Sequence, residues 1–364
     1  MMGRVASMKA DKTTEIFEFE VPKPEKGAVV MEVMKANVCG SDIHIWEGKH
    51  ILKNHVMGHE MMGRIHELGE GVTTDNAGQP VKVGDRIVPV YYLVCHKCRN
   101  CQNGLYNICE HGNDLGAQPA TKYPHFTGAF GTHYYIAPGQ TFFKIPDAVP
   151  DDVAAGANCG ITQMLYSLEV SGLKSGQNVV IQGAGGLGLF ASAIVHESGS
   201  TVIAIDSVDA RLEEIKNFGA HYTIDMKKFD TIEKRKAEIE RITEGRGADI
   251  VVEVAGVPAA FDESLRLVRP GGTVAELGNV LIKEEFNVNM VPGFIVRNCI
   301  NVVGMVRYLP RYLHKGLLFL EKTHNKYPYG GMSDRYYSLD ETQLAIERSA
   351  SREVKRAIIA PNQI

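Results

Sequence analysis

The chain has 364 residues, 44% of them hydrophobic and 23% charged, an ordinary composition for a globular protein with core enough for about two domains. Its 39 lysines and arginines against 43 aspartates and glutamates leave a net charge of −4 with both signs interspersed, so there is no electrostatic footprint for nucleic acid or an acidic membrane surface. The longest apolar runs, such as Val179–Ile181 and Ile250–Val252, are of strand length, far short of the roughly 20 residues that span a bilayer, and no targeting segment is expected from Met1-Met2-Gly3-Arg4.

The first 150 residues read as short strands joined by turns. Ala28–Met34, Met62–Leu68 and Arg86–Val90 are β-rich runs punctuated by Gly58, Gly69, Gly71 and Gly84, with Gly84-Asp85 as a strand-entry turn. Next come Cys95, Cys98 and Cys101 at every third position, with Cys109 eight residues later. Four thiolates spaced this way can close tetrahedrally on one Zn²⁺ at about 2.3 Å, and Gly104 eases the return of the loop. Disulfides are the alternative, and they fit poorly where no signal peptide is expected and the other three cysteines are scattered. A four-thiolate site is coordinatively closed, so its role is structural. Seven cysteines used in this way point to a reducing cytoplasm.

From about residue 175 strand and helix patterns alternate. Strands are expected at Asn178–Gln182, Thr201–Ile205, Tyr222–Ile224, Asp249–Val254, Thr273–Leu277 and Asn301–Met305, and helices at Gly186–Ser198, Val208–Phe218, 228–244 and 259–268. Six strands with crossover helices make a doubly wound parallel α/β sheet of the Rossmann type. Gly183-Ala184-Gly185-Gly186-Leu187-Gly188 follows a strand and opens a helix, the context in which this pattern cradles a pyrophosphate on helix N-terminal amides. Asp206, eighteen residues after Gly188, ends the next strand, where a carboxylate binds both hydroxyls of an adenine ribose and repels a 2′-phosphate. That favours NAD(H) over NADP(H), although Arg211 could assist either. Leu277, closing its strand, is a further cofactor candidate. The competing reading is a glycine-rich packing turn without a ligand.

Three more motifs complete the set: Cys39-Gly40-Ser41-Asp42-Ile43-His44, Gly58-His59-Glu60 and Asn158-Cys159-Gly160. With the four-cysteine loop and the glycine motif they resemble, in order and over essentially the whole chain, the zinc-dependent medium-chain dehydrogenase/reductase family, the zinc-containing alcohol dehydrogenases. The resemblance implies a GroES-like, mostly-β catalytic domain over 1–155 and 306–364, and a Rossmann domain over 156–305. It implies two Zn²⁺ per chain, a structural one on Cys95, Cys98, Cys101 and Cys109 and a catalytic one on Cys39, His59 and Cys159 with a fourth position open. Glu60 resembles the carboxylate that approaches this metal, against a structural salt bridge. Asp42 resembles the acid that orients the histidine, against a turn or cap residue. Ser41 and His44 resemble the hydroxyl and imidazole of a proton relay, against a surface role for His44. Trp46 and Tyr91 fall where the family lines its substrate pocket, against ordinary core.

One departure stands out. Many members carry a basic residue directly after the first ligand cysteine, where this chain has Gly40. Cofactor binding is then expected to lean on helix amides and on a cation elsewhere, such as Lys355 or Arg356, with weaker retention. No basic residue is placed clearly in the pocket, although Arg297 or Arg307 could turn inward, and the aromatic tract 112–135 (Tyr123, His125, Phe126, Phe130, His133, Tyr134) could shape the entrance. The leading expectation is therefore a cytoplasmic, NAD-dependent zinc alcohol dehydrogenase acting on a small-molecule primary or secondary alcohol, cyclic and apolar ones included, and on its carbonyl partner. Alternatives are a polyol or amino-alcohol (threonine-type) dehydrogenase, and a non-catalytic NAD-binding structural protein. A homodimer or homotetramer is implied, with Asn301–Met305 as the candidate edge strand.

Overall fold

Strands form where β-branched and apolar residues cluster between turn glycines, and they assemble into two sheets plus a hairpin. The computed structural model describes residues 1–49, 55–282, 284–288, 290–333 and 335–362. Contacts divide the chain into one unit of Met1–Thr162 with Leu309–Ile364, and a second of Gln163–Tyr308.

In the first unit a hairpin of Met2–Ala10 and Thr13–Glu20 stands beside a seven-stranded sheet. The sheet runs in the order Arg335–Tyr337, Ala357–Ile359, Val29–Asn37, Glu60–Leu68, Arg86–Pro89 and Phe142–Lys144, with His133–Ile136 also on Val29–Asn37. Met31, Val33, Met57, Met61, Ile65, Ile87 and Phe130 fill its core. Late in the chain, Ile358 and Ile359 pair with Asn37 and Ala36, which brings the segment around Arg356 next to the residues that precede Cys39. Helix Arg311–Thr323 packs on the turn Ala157–Ile161 so closely that a Cβ on Gly316 would lie 2.5 Å from the Thr162 hydroxyl. Cys159 therefore belongs to the first unit, whereas the sequence boundary at 155/156 separates it. Cys159 rides on a helical turn that the expectation assigned to the Rossmann domain.

The second unit is a six-stranded, wholly parallel sheet in the order Tyr222–Asp225, Thr201–Asp206, Asn178–Gln182, Ala248–Glu253, Val268–Glu276, Asn301–Gly304. The order reverses between Asn178–Gln182 and Ala248–Glu253, which is the doubly wound arrangement whose ligand crevice lies at the carboxyl ends of the strands. Helices Gly186–Glu197 and Asp209–Lys216 follow the first two strands, as their apolar spacing predicts. Asn301–Gly304 is an edge strand.

Candidate functional site

Cys39 caps the seven-residue helix Gly40–Trp46. Asp42 at its third position accepts the Cys39 backbone N–H at 2.8 Å, one half of a capping box. The other oxygen of the same buried carboxylate lies 3.2 Å from Nδ1 of His59, so one acid fixes both the helix that presents Cys39 and the imidazole. Gly58, with φ +82°, turns the chain into His59, and a Cβ there would collide with the Phe130 ring at 2.4 Å. Only glycine serves at that corner. Cys159 sits in the π-helical turn Ala157–Ile161, an irregularity frequent at functional positions. Asn158 ties this turn to the rest: its amide donates to the carbonyls of His59 (2.9 Å) and Pro89 (3.0 Å), and its oxygen accepts from Met61 N–H.

These elements bring donor atoms of Cys39, His59, Glu60 and Cys159 within 4.8 Å of one another. Ligands about 2.0–2.3 Å from one tetrahedral ion stand about 3.3–3.8 Å apart, so the spread suits a single Zn²⁺. Protonation supports the fit. A hydrogen bond from the Cys159 thiol holds Cys39 well below the usual thiol value, helped by His59, and Cys159 is pushed up by that same bond. The two sulfurs thus share a proton that a dication would displace. Burial pushes His59 down, but Asp42 and Cys39 outweigh it and raise it well above the ordinary imidazole value. Burial raises Glu60 to about 7 despite Arg356.

The two oxygens of Glu60 are engaged differently. One carboxylate oxygen is gripped by the Arg356 guanidinium and by the Asn37 amide at 3.3 Å. The other, Oε1, is buried with no hydrogen-bond partner among the described residues, and one carboxylate oxygen of Glu60 belongs to the donor set. Arg356 thus meets Glu60 through one guanidinium nitrogen. Burying the Glu60 carboxylate without a counter-ion would be too costly. Gly156 makes room for this pair, since a Cβ there would lie 3.2–3.6 Å from Asn37, Arg356 and Glu60.

The four-cysteine loop converges as its spacing predicts. Cys95, Cys98, Cys101 and Cys109 place their sulfurs within 4.8 Å of one another, and Cys95 to Cys101 measures 3.9 Å, close to the edge of a ZnS₄ tetrahedron. Backbone N–H groups of Lys97 and Cys98 point at the Cys95 sulfur at 3.4 and 3.3 Å, and these bonds lower it to about 6. Cys101 N–H points at Cys98, and Cys95 N–H at Cys109. All seven cysteines are free thiols.

The relay and pocket candidates fare unevenly. Ser41 is half-buried at the second helical position. His44 is half-buried too; its Nδ1 is enclosed without a partner among the described residues, and burial lowers its pKa from the ordinary value. Tyr91 stands beside His59, with ring centroids 5.0 Å apart. Trp46 departs from expectation: it is buried in the core with its indole N–H 3.4 Å from Gln343, so packing between the first helix and the last one claims it. Phe126, Phe130 and Tyr134 are likewise core, and His125 stacks on Phe19 at 4.1 Å, so this part of the aromatic tract builds the first unit's interior. Arg297 lies in the second unit, on helix Pro292–Asn298. A Cβ on Gly40 would meet nothing within 4 Å, so no steric conflict excludes the missing basic side chain.

In the second unit, Gly183 has φ +101° and its absent Cβ would strike Ala255 N at 2.8 Å, while a Cβ on Gly188 would lie 2.0 Å from the Gly183 carbonyl. Gly185 differs. A Cβ there meets nothing within 4 Å, leaving open the approach a pyrophosphate requires in front of the amides of Gly186 and Leu187. The Asp206 carboxylate accepts Ala184 N–H at 2.8 Å and Val208 N–H at 2.9 Å, with Arg211 3.8 Å away. Leu277 is buried, its N–H on the Glu253 carbonyl.

Two family models match successive parts of the chain. Residues 25–147 match the alcohol dehydrogenase GroES-like domain, and residues 186–322 the zinc-binding dehydrogenase domain. The chain is 30% identical over 349 residues to 5-exo-hydroxycamphor dehydrogenase of Pseudomonas putida, covering 95% of each protein. It is 32% identical over 286 residues to L-threonine 3-dehydrogenase of Pyrococcus horikoshii, covering 76% of each. The crystal structure of an alcohol dehydrogenase from Thermotoga maritima superimposes with a TM-score of 0.92 over all of both chains, at 27% identity.

Proposed function

Because the chain belongs to the zinc-dependent medium-chain dehydrogenase/reductase family, oxidoreductases acting on CH–OH groups, we propose that it is an NAD-dependent zinc alcohol dehydrogenase interconverting a neutral primary or secondary alcohol with its aldehyde or ketone. The observation that carries this reading is the convergence of Cys39, His59 and Cys159 with a carboxylate oxygen of Glu60. Zn²⁺ held there supplies Lewis acidity that polarises the C–O bond. Cys39 and Cys159 provide thiolates, and Asp42 holds His59 so that its other nitrogen faces the metal. Ser41 accepts the alcohol proton and His44, neutral at pH 7 because burial lowers its pKa, passes it onward. Tyr91 supplies an aromatic wall. Arg356 is paired with Glu60, which makes it a weaker partner for a substrate carboxylate and favours neutral, cyclic or apolar alcohols over amino acids.

Cys95, Cys98, Cys101 and Cys109 hold the structural Zn²⁺, and Gly183, Gly185, Gly186, Leu187, Gly188, Asp206 and Leu277 receive the dinucleotide. We assign the chain to a reducing cytoplasm from its free thiols; among the described residues no helix is long and apolar enough to cross a membrane. A homo-oligomer built on the Asn301–Gly304 edge suits the exposed Val302, Val291 and Val296, and a solution mass of one chain would remove that part of the reading.

The test is a screen of aliphatic, cyclic, aromatic, polyol and amino alcohols with NAD⁺ and NADP⁺, with zinc measured on the same sample. Turnover of neutral alcohols with NAD⁺ is expected; polyol or threonine preference would displace the substrate assignment, and inactivity throughout with a single zinc would point to a non-catalytic protein. In the same screen Asp206→Ser removes the charge that opposes a 2′-phosphate and frees Arg211. A charge-assisted bond worth about 1.5–3 kcal/mol corresponds to a preference shift toward NADP⁺ of about 10- to 100-fold in kcat/KM ratio. An unchanged ratio would mean that Asp206 serves only the turn.

A further inference from the structure

Two acidic residues close adjacent strands of the second unit. Glu253 ends Ala248–Glu253, Glu276 ends Val268–Glu276, and the two stand in register, with Gln182 opposite Glu253 on the other side. Glu253 is fully buried. Its Oε1 accepts the backbone N–H groups of Ala255 (2.8 Å) and Gly256 (2.9 Å). Its Oε2 accepts from the Asn279 amide at 3.1 Å, and the same amide nitrogen donates to Glu276 Oε1 at 2.9 Å. One amide nitrogen therefore bridges the two carboxylates, while Glu276 Oε2 is buried without a hydrogen-bond partner among the described residues. Through its carbonyl, Glu253 further receives the N–H groups of Leu277 and Gly278 at 3.2 and 3.1 Å. One residue thus ties together the turns that follow both strands.

Those turns border the glycine motif. The first glycine of that motif, Gly183, comes so close to the 254–256 turn that a Cβ would lie 2.8 Å from Ala255 N. Gly278 leaves the space that Glu253 fills, for a Cβ there would lie 2.4 Å from Glu253 Oε2 and 2.5 Å from Gly256 N. Leu277, already a cofactor candidate, lies within the second turn.

We infer that Glu253 is a positioning residue for the dinucleotide, forming with Glu276 and Asn279 an amide-bridged clamp that sets the 254–256 and 277–279 turns against the glycine loop. This rests on reading the second unit as the holder of the dinucleotide. The alternative, a cation between the two carboxylates, is disfavoured because Asn279 and two backbone N–H groups already present hydrogens to them.

Protonation of Glu253 spares the clamp a pair of facing charges. Burial, then the facing Glu276, raises Glu253 to about 8. Among the described neighbours, Gln182 bonds Ser264 on helix Pro258–Leu267, and Asp206, further along the same end of the sheet, faces Arg211. The sign follows. A carboxyl held protonated in the folded state favours that state at low pH, and its contribution is lost as pH rises from the ordinary value of 4.5 through about 8. Above that, two carboxylates repel across the clamp and both turns loosen.

The experiment is fluorescence titration of the zinc-loaded protein with NADH, and in parallel NADPH, from pH 6.5 to 9.5, for the wild type, E253Q, E276Q and E253A. The wild type is expected to lose affinity by about tenfold above pH 8, one unit of proton linkage. E253Q and E276Q, each unable to form a pair of like charges, are expected to show a flat profile over that range. E253A leaves the Ala255 and Gly256 N–H groups unanswered and is expected to weaken binding at every pH. A wild-type profile that is flat, or one that E276Q leaves as steep, overturns the clamp while the dinucleotide reading stands. Absence of binding to either dinucleotide at any pH overturns both.

Discussion

Cys39→Ser is expected to abolish turnover in a protein that remains folded, with kcat/KM down by at least about 10³ for every alcohol that the wild type oxidises. The argument separates ligation from folding. Residue 39 caps the helix that carries Ser41, Asp42 and His44, and the cap bond visible in the structure runs from its backbone N–H to Asp42. Serine is among the preferred N-cap residues, so the helix and the carboxylate behind His59 survive the change. A soft thiolate is lost from the donor set, and a serine hydroxyl is a poor ligand for zinc at neutral pH. Polarisation by a metal contributes several kcal/mol to such a barrier, and each 1.36 kcal/mol is about a factor of ten, so a loss of about 10³ is proportionate. The measurements are steady-state kinetics, metal content and the NADH titration on one preparation. Metal should fall by the share of one site while NADH binding persists, because the glycine loop lies in the second unit. Wild-type turnover in Cys39→Ser would remove the metal assignment altogether.

How far the chain could be read in advance depended on whether the signal was local. The parallel sheet was legible almost residue by residue because each strand is a short apolar run between turn glycines: Asn178–Gln182 has the bounds that periodicity implies. Helix 228–244 shrinks to Ile232–Ile242 because Thr231 accepts the Lys234 N–H as its cap, leaving the polar residues before it to the turn. The N-terminal hairpin carried the alternation of a strand pair yet lacked an Asn-Gly or Asp-Gly turn to announce it. The metal donors were legible as motifs, but the support around them was not. Arg356 lies 296 residues from Glu60, and nothing in its local sequence marks it as a buried counter-ion. Trp46 stayed open between pocket and core because its spacing from Cys39 cannot say which face of a two-turn helix meets the core; its indole bond to Gln343, far along the chain, favours the core. Glu253 and Glu276 did leave a trace, an acid following the apolar runs Ile250–Val252 and Val274–Ala275 that end two strands. That pattern is unfavourable in a buried sheet unless something is gained by it.

Cys98→Ser should give the opposite phenotype to Cys39→Ser, with stability lost and chemistry largely kept. Cys98 both caps the short helix Arg99–Gln102, accepting the Cys101 N–H, and supplies one corner of the four-sulfur cluster. Serine can keep the cap but not the soft ligation, and three remaining thiolates would crowd around a weakened metal. The backbone N–H groups aimed at Cys95 and Cys109 help to hold those sulfurs in place, so the geometry is arranged for a charge-neutralising ion. Loss of a structural metal belongs with the largest single-residue effects, about 4 kcal/mol. For a domain of this size that lowers Tm by about 8–16 °C. Differential scanning calorimetry should show this fall, while kcat/KM per retained catalytic metal stays within about threefold, since the closed cluster has no open position at which a substrate could bind. Chelation of the wild type at rising chelator strength should separate the same two steps, with the open three-ligand site losing metal and activity first and the four-thiolate loop losing metal and stability later. If Cys98→Ser were inactive at unchanged Tm, the roles of the two clusters would have to be exchanged.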